Sequence, residues 1–175
     1  MTVILATMLS ACLAVPGTGE VASGPRLTSP SRSALTGYTA YVSAEAMYSL
    51  AYPSSWHDIP ASKDGSHYGK DFVNEAIGSP EQLSPTGIWL NVQVDTQPTQ
   101  ACSMSGSIPP SVATRQVSTD GATGTQYVSE SGAAGPYALR NGWCYSFRFL
   151  TSSRQDFEQH VSEVDTILGS FRFNR

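Results

Sequence analysis

Three histidines, three cysteines and a few loop carboxylates are the residues of this 175-residue chain whose chemistry could be put to work. His57, His67 and His160 are the candidates for proton transfer near neutral pH. A Ser-His-Asp triad is defined by geometry and not by sequence order, so the histidines alone neither make nor exclude one. No Gly-x-Ser-x-Gly nucleophile elbow occurs. His57-Asp58 falls at a strand end, where a surface ion pair accounts for both residues. His160 lies beside the apolar stripe of a helix and is expected to face solvent or the rim of that stripe. Asp58, Asp64 and Asp71 sit near Gly65 and Gly69, but their spacing misses the oxygen-ligand pattern of a calcium loop. They read as solvated loop charges. The cysteines lack knuckle spacing, so no metal site and no cofactor is expected.

The cysteines divide by position. Val3 to Leu9 is a short apolar run, followed by Leu9-Ser10-Ala11-Cys12. That tetrapeptide resembles the bacterial lipobox, in which small residues suit the signal peptidase cleft and the thiol forms the thioether bond to a diacylated anchor (palmitate the expected acyl group). Residues 1–11 then read as a lipoprotein signal peptide and Cys12 as the lipidation site. No Lys or Arg precedes Arg26, so the basic start of a secretory signal is expected upstream of Met1. The alternative is an N-terminal strand or buried helix carrying an ordinary cysteine. Pro16 to Gly37 is rich in Gly, Ser, Thr and Pro without periodicity, the composition of a flexible tether. With Cys12 acylated, Cys102 and Cys144 are an even pair in an exported chain and read as a disulfide. Two free buried thiols are the alternative.

Composition narrows the partners. Charged residues are 14 % of the chain and the net charge is −4. Only two lysines occur, Lys63 and Lys70, and there is no basic run. Nucleic acid is therefore not an expected partner. No apolar stretch of about 20 residues exists to cross a membrane as a helix; the expected membrane contact is the N-terminal lipid.

The element that must position everything else is Trp143-Cys144-Tyr145-Ser146-Phe147-Arg148-Phe149-Leu150. Alternation places Trp143, Tyr145, Phe147 and Phe149 on one face as the floor of a core. Asn141-Gly142 predicts a tight hairpin to Tyr137–Arg140. Ile88, Leu90, Val92 and Val94 alternate with Trp89, Asn91, Gln93 and Asp95, a strand with one face on the core. Trp89, Asn91 and Gln93 then form a possible binding surface, unless a helix packed on that second face covers the indole. Further strands are expected over residues 38–42, 48–52, 72–75, 114–119 and 124–130, with Trp56 and Ile59 opening another. Asp120-Gly121 marks a hairpin, and 79–85 a turn or single helical turn. Pro60–Gly69, Thr96–Pro110 and Ser131–Pro136 read as loops. Ser152 or Ser153 caps a long helix with Asp156 in its first turn. Phe157, Val161, Val164 and Leu168 form its stripe, and Gly169 is expected to end it in the left-handed conformation. Ser170–Phe173 returns as a closing strand.

The fold class is thus α+β, mainly antiparallel β-sheet with a long C-terminal helix packed on it. Tyr48-Ser49-Leu50-Ala51-Tyr52-Pro53-Ser54-Ser55-Trp56 resembles the opening of PsbP-like domains. Thr166-Ile167-Leu168-Gly169-Ser170-Phe171-Arg172-Phe173 resembles their helix-to-strand ending. The resemblance covers roughly residues 38–175 and implies the α/β/α sandwich shared with Mog1 proteins. It supplies no catalytic residue and implies a binding or accessory module. The expectation is a non-enzymatic, lipid-anchored extracytoplasmic module, facing outward from the cell membrane, with an unknown protein or small-molecule partner. The alternative is a small extracytoplasmic hydrolase using His57 or His67.

Overall fold

In the computed structural model, residues 35–98, 102–103, 109 and 111–174 are described. Cys12, the signal peptide and most of the tether lie outside them. The chain runs β1 (Tyr38–Ser43), β2 (Tyr48–Pro53), β3 (His57–Asp64), β4 (His67–Val73), a 3-10 turn (Pro80–Gln82), β5 (Trp89–Asp95), β6 (Ala113–Thr119), β7 (Ala122–Ser129), β8 (Gly132–Arg140), β9 (Trp143–Leu150), α1 (Arg154–Gln159), α2 (Val161–Ser170) and β10 (Arg172–Phe173).

Every strand pair is antiparallel. Seven strands form one sheet in the order β3-β4-β5-β9-β8-β7-β6, and β1, β2 and β10 form a second. The expected alternation sets the inner face of the large sheet. Ile88, Leu90, Val92, Val94, Tyr145, Phe147 and Phe149 are all buried, with Trp143 packed half-buried at the margin. Tyr48, Leu50 and Tyr52 of the small sheet and Phe157, Val164, Ile167 and Leu168 of the helices close over them. Phe171 is the hub, with its ring 4.9–6.2 Å from those of Tyr48, Tyr145, Phe147 and Phe173. Asp120-Gly121 and Asn141-Gly142 turn their hairpins with positive φ at both positions.

Five expectations need correction. The C-terminal helix is not long: it breaks at His160 (φ −96°, ψ 0°) into α1 and α2. Ser153 does cap α1, accepting from the Asp156 amide. Gly169 does not end α2 in the left-handed conformation. The helix runs to Ser170, whose hydroxyl bonds the Ile167 carbonyl at 2.6 Å and accepts from the Ala51 amide at 2.7 Å. That side chain satisfies the helix end and aims Phe171 into the core.

Pro60–Gly69 is not a loop but most of the β3–β4 hairpin, turned at Gly65 (φ +56°). Ser131–Pro136 is likewise the start of β8 rather than a surface loop, with Gly132, Ala133, Gly135 and Pro136 buried. The small residues are there for room: a Cβ on Gly132 would lie 2.1 Å from the Phe149 carbonyl oxygen. Finally, α1 and α2 both lie on the inner side, α2 against β2 and β6. Among the described residues no helix covers the outer face of the large sheet, so the expected sandwich has its helices on one face only.

Candidate binding face

The outer face is built by the residues that alternate with the core. Cross-strand pairing fixes them in rows. One row runs Ser62, Gly69, Gln93, Ser146, Tyr137 across β3, β4, β5, β9 and β8. The next runs Asp71, Asn91, Arg148, Ala134, Tyr127 across β4, β5, β9, β8 and β7. Directly opposed side chains on one face lie about 4.5–5.5 Å apart at Cβ, so each row is a strip of mostly polar groups, interrupted at Gly69 in the first and Ala134 in the second.

Two shallow hollows dent this face and both include Gln93. One, about 250 Å³, is lined by Asp71, Pro80, Trp89, Asn91, Gln93, Arg148 and Leu150. The other, about 460 Å³, holds Ser62, His67, Gln93, Asp95, Ser103 and Ser146 among its walls. The Cys102–Cys144 disulfide, formed as expected with Cα atoms 5.4 Å apart, borders the second hollow. Gly69 deepens it, because a Cβ there would stand 2.7 Å from the Ser62 hydroxyl.

Trp89, Asn91 and Gln93 are therefore together on the outer side, as their alternation implies, but in different states. Trp89 is 5 % exposed and Gln93 is exposed. Among the described residues no α-helix hides the indole; Pro80 of the 3-10 turn lies in the same hollow. The indole N–H donates to Asp71 Oδ1 at 2.9 Å, and Asn91 Nδ2 donates to the same oxygen at 2.7 Å. Asp71 thus locks the amide and the ring, and the accessible polar groups are Gln93, Arg148 and their neighbours. Burial pushes the Tyr137 phenol pKa up, Tyr127 adds to the rise, and the adjacent Arg148 guanidinium opposes it. Sequence reading missed Tyr127, Tyr137 and Arg148. The alternation within β7 and β9 held the signal, but only the register brings these residues side by side.

The histidines do not converge. His57 is exposed, and its neighbour Asp58 pairs with Lys70 at 3.3 Å instead. His67 Nδ1 stands 3.7 Å from Asp95 Oδ2 with its side chain 67 % exposed, beyond the reach of a positioned general base. His160 is not turned to solvent: its ring lies 2.8 Å from Glu163 Oε2 and 3.1 Å from the Thr86 carbonyl.

A separate cleft of about 240 Å³ opens between β1–β2 and β3–β4, lined by Tyr41, Tyr48, Tyr68, Lys63 and Lys70 over Val92 and Val94. Lys70 is buried, its ammonium 5.0 Å from the Tyr41 ring centre and 5.3 Å from that of Phe72. It also donates to Asp58 and to the Ile59 carbonyl, so its charge is already engaged. Burial drives the Tyr48 phenol far above its usual range.

Among solved structures, the chain is similar to the solution structure of cyanobacterial PsbP (CyanoP) from Synechocystis sp. PCC 6803. The match has a TM-score of 0.46 and 14 % identity, covering 84 % of this chain and 98 % of that one. The likeness is one of fold. No protein-family profile and no curated protein matches the chain.

Proposed function

We propose that this chain is a lipid-anchored, extracytoplasmic binding or accessory module that holds its ligand on the outer face of the large sheet without chemical turnover. The observation that carries the reading is the continuity of that face: two hollows joined at Gln93, floored by rows of amide, hydroxyl, carboxylate and guanidinium groups. An extended polar floor on which, among the described residues, no histidine stands within hydrogen-bond reach of a nucleophile suits recognition better than catalysis. The anchor rests on Leu9-Ser10-Ala11-Cys12, and the Pro16–Gly37 stretch gives the folded part reach from the membrane. The disulfide suits an oxidising compartment.

Two measurements test the two halves separately. Incorporation of an alkyne-labelled fatty acid, absent in Cys12→Ala, is expected, with globomycin leaving residues 1–11 on the labelled chain; an unlabelled chain that retains residues 1–12 would refute the anchor. Retention of the unacylated full-length chain on washed cell envelopes is expected to fall in Gln93→Lys. Equal retention of that variant removes the outer face as the binding surface.

A further inference from the structure

The chemistry of the outer face points to one class of ligand, an inference that rests on the binding-module reading above. The three interior strands β4, β5 and β9 that floor the hollows are each hydrogen-bonded on both sides. A peptide added as a strand needs a free sheet edge; these three strands have none to give, and the edge strand β3 reaches the second hollow through Ser62 and Asp64. Recognition on the three interior strands must come from side chains. In and beside the hollows those side chains are planar amides and hydroxyls (Gln93, Ser62, Ser146) and the guanidinium of Arg148; beyond them on the same face, on β7 and β8, the register adds the phenols of Tyr127 and Tyr137.

Their arrangement is specific. Arg148 is exposed and stands opposite Ala134, whose other neighbour is Tyr127. The small Ala134 stands between the guanidinium and one phenol, while Tyr137, opposite Ser146, lies on the adjoining row. An amphipathic ring beside planar donors and acceptors matches a pyranose: apolar C–H faces against the aromatic, hydroxyls against groups that both donate and accept. Charge selects further. Asp71 and Arg148 share a row with opposite signs, and Asp95 and Asp64 at the other end leave that hollow negative. A polyanion would be repelled there.

We propose that the outer face binds a neutral glycan, its sugar rings lying across Arg148, Tyr127 and Tyr137 and its hydroxyls on Gln93 and Ser146. The test is calorimetric titration of the full-length chain with maltohexaose, cellohexaose and chitohexaose. At least one is expected to bind. Arg148→Ala and Tyr137→Ala should each weaken it by about tenfold or more, with far-ultraviolet dichroism unchanged. Tyr137→Phe keeps the ring and should retain most of the affinity. Lys63→Ala, in the separate cleft, should leave binding intact. No binding of any of the three, or binding that the Arg148 and Tyr137 variants leave unchanged, overturns the glycan assignment. Envelope retention that a protease abolishes, alongside no glycan binding, overturns it too while the binding-module reading survives. Loss of both retention and titration removes both.

Discussion

The Tyr145 hydroxyl donates a buried hydrogen bond to the Ala46 carbonyl at 3.1 Å, across 99 residues of sequence. It ties the large sheet to the turn that joins β1 and β2, so the two sheets are held by a polar contact as well as by aromatic packing. Tyr145→Phe keeps the ring and strands the carbonyl. It should lower unfolding stability by about 1–2 kcal/mol, read as a shift of the urea midpoint with an unchanged slope.

Phe171 should be the costliest core position. Its ring meets those of Tyr48, Tyr145, Phe147 and Phe173, and it is fully buried. Phe171→Ala is expected to destabilise by about 3–5 kcal/mol, enough to threaten folding; Phe171→Leu, which refills most of the space, should be markedly milder in the same denaturant series.

Two glycines with positive φ should respond unequally to alanine. At Gly121 the added methyl meets nothing, so the cost is backbone strain alone, about 1 kcal/mol. At Gly132 it meets the Phe149 carbonyl at 2.1 Å in addition. Gly132→Ala should lose several times more stability than Gly121→Ala in parallel thermal melts; equal losses would contradict the close approach of β8 to β9.

Cys102 and Cys144 are 42 residues apart in sequence. Their disulfide should contribute about 4 kcal/mol in the chain-entropy account. The paired Cys102→Ala, Cys144→Ala variant is expected to unfold at lower denaturant and to lose all sensitivity to dithiothreitol.

Alkaline pH should unfold the protein through its phenols. Burial raises Tyr48, Tyr52, Tyr137 and Tyr145 above the ordinary value of 10.0. In the unfolded chain these groups ionise first. Their contribution is therefore complete below pH 10.0 and declines as pH rises beyond it. Phenolate absorbance in the ultraviolet should rise in step with loss of secondary structure, late and cooperatively; gradual ionisation in a folded protein would count against buried phenols.

What the sequence disclosed was decided by how each residue is surrounded. The β5 and β9 alternation was readable because one side of each strand is wholly buried and the other is polar. β3 was not, since all but one of its residues are exposed and no contrast is left to read. Ser131–Pro136 carries loop-forming residues inside a strand, because β8 needs small side chains against β9 and a register shift between Ala134 and Tyr137. The break at His160 has no proline or glycine to announce it; the histidine ring meets Glu163 locally and the Thr86 carbonyl from a distant part of the chain. The outer face was half visible: Trp89, Asn91 and Gln93 lie on one strand, whereas Arg148, Tyr137 and Tyr127 join them only through pairings distant in sequence.

β3 is also a free edge of the large sheet, and its irregularity has a social effect. A neighbouring molecule's strand sliding along it would meet Pro60, which offers no amide, and an Ile59 carbonyl already claimed by Lys70, at a place where the register to β4 shifts between Ile59 and Ser62. Many copies crowded side by side would find no continuous ladder to extend there, so this rim favours separate molecules over fibrils.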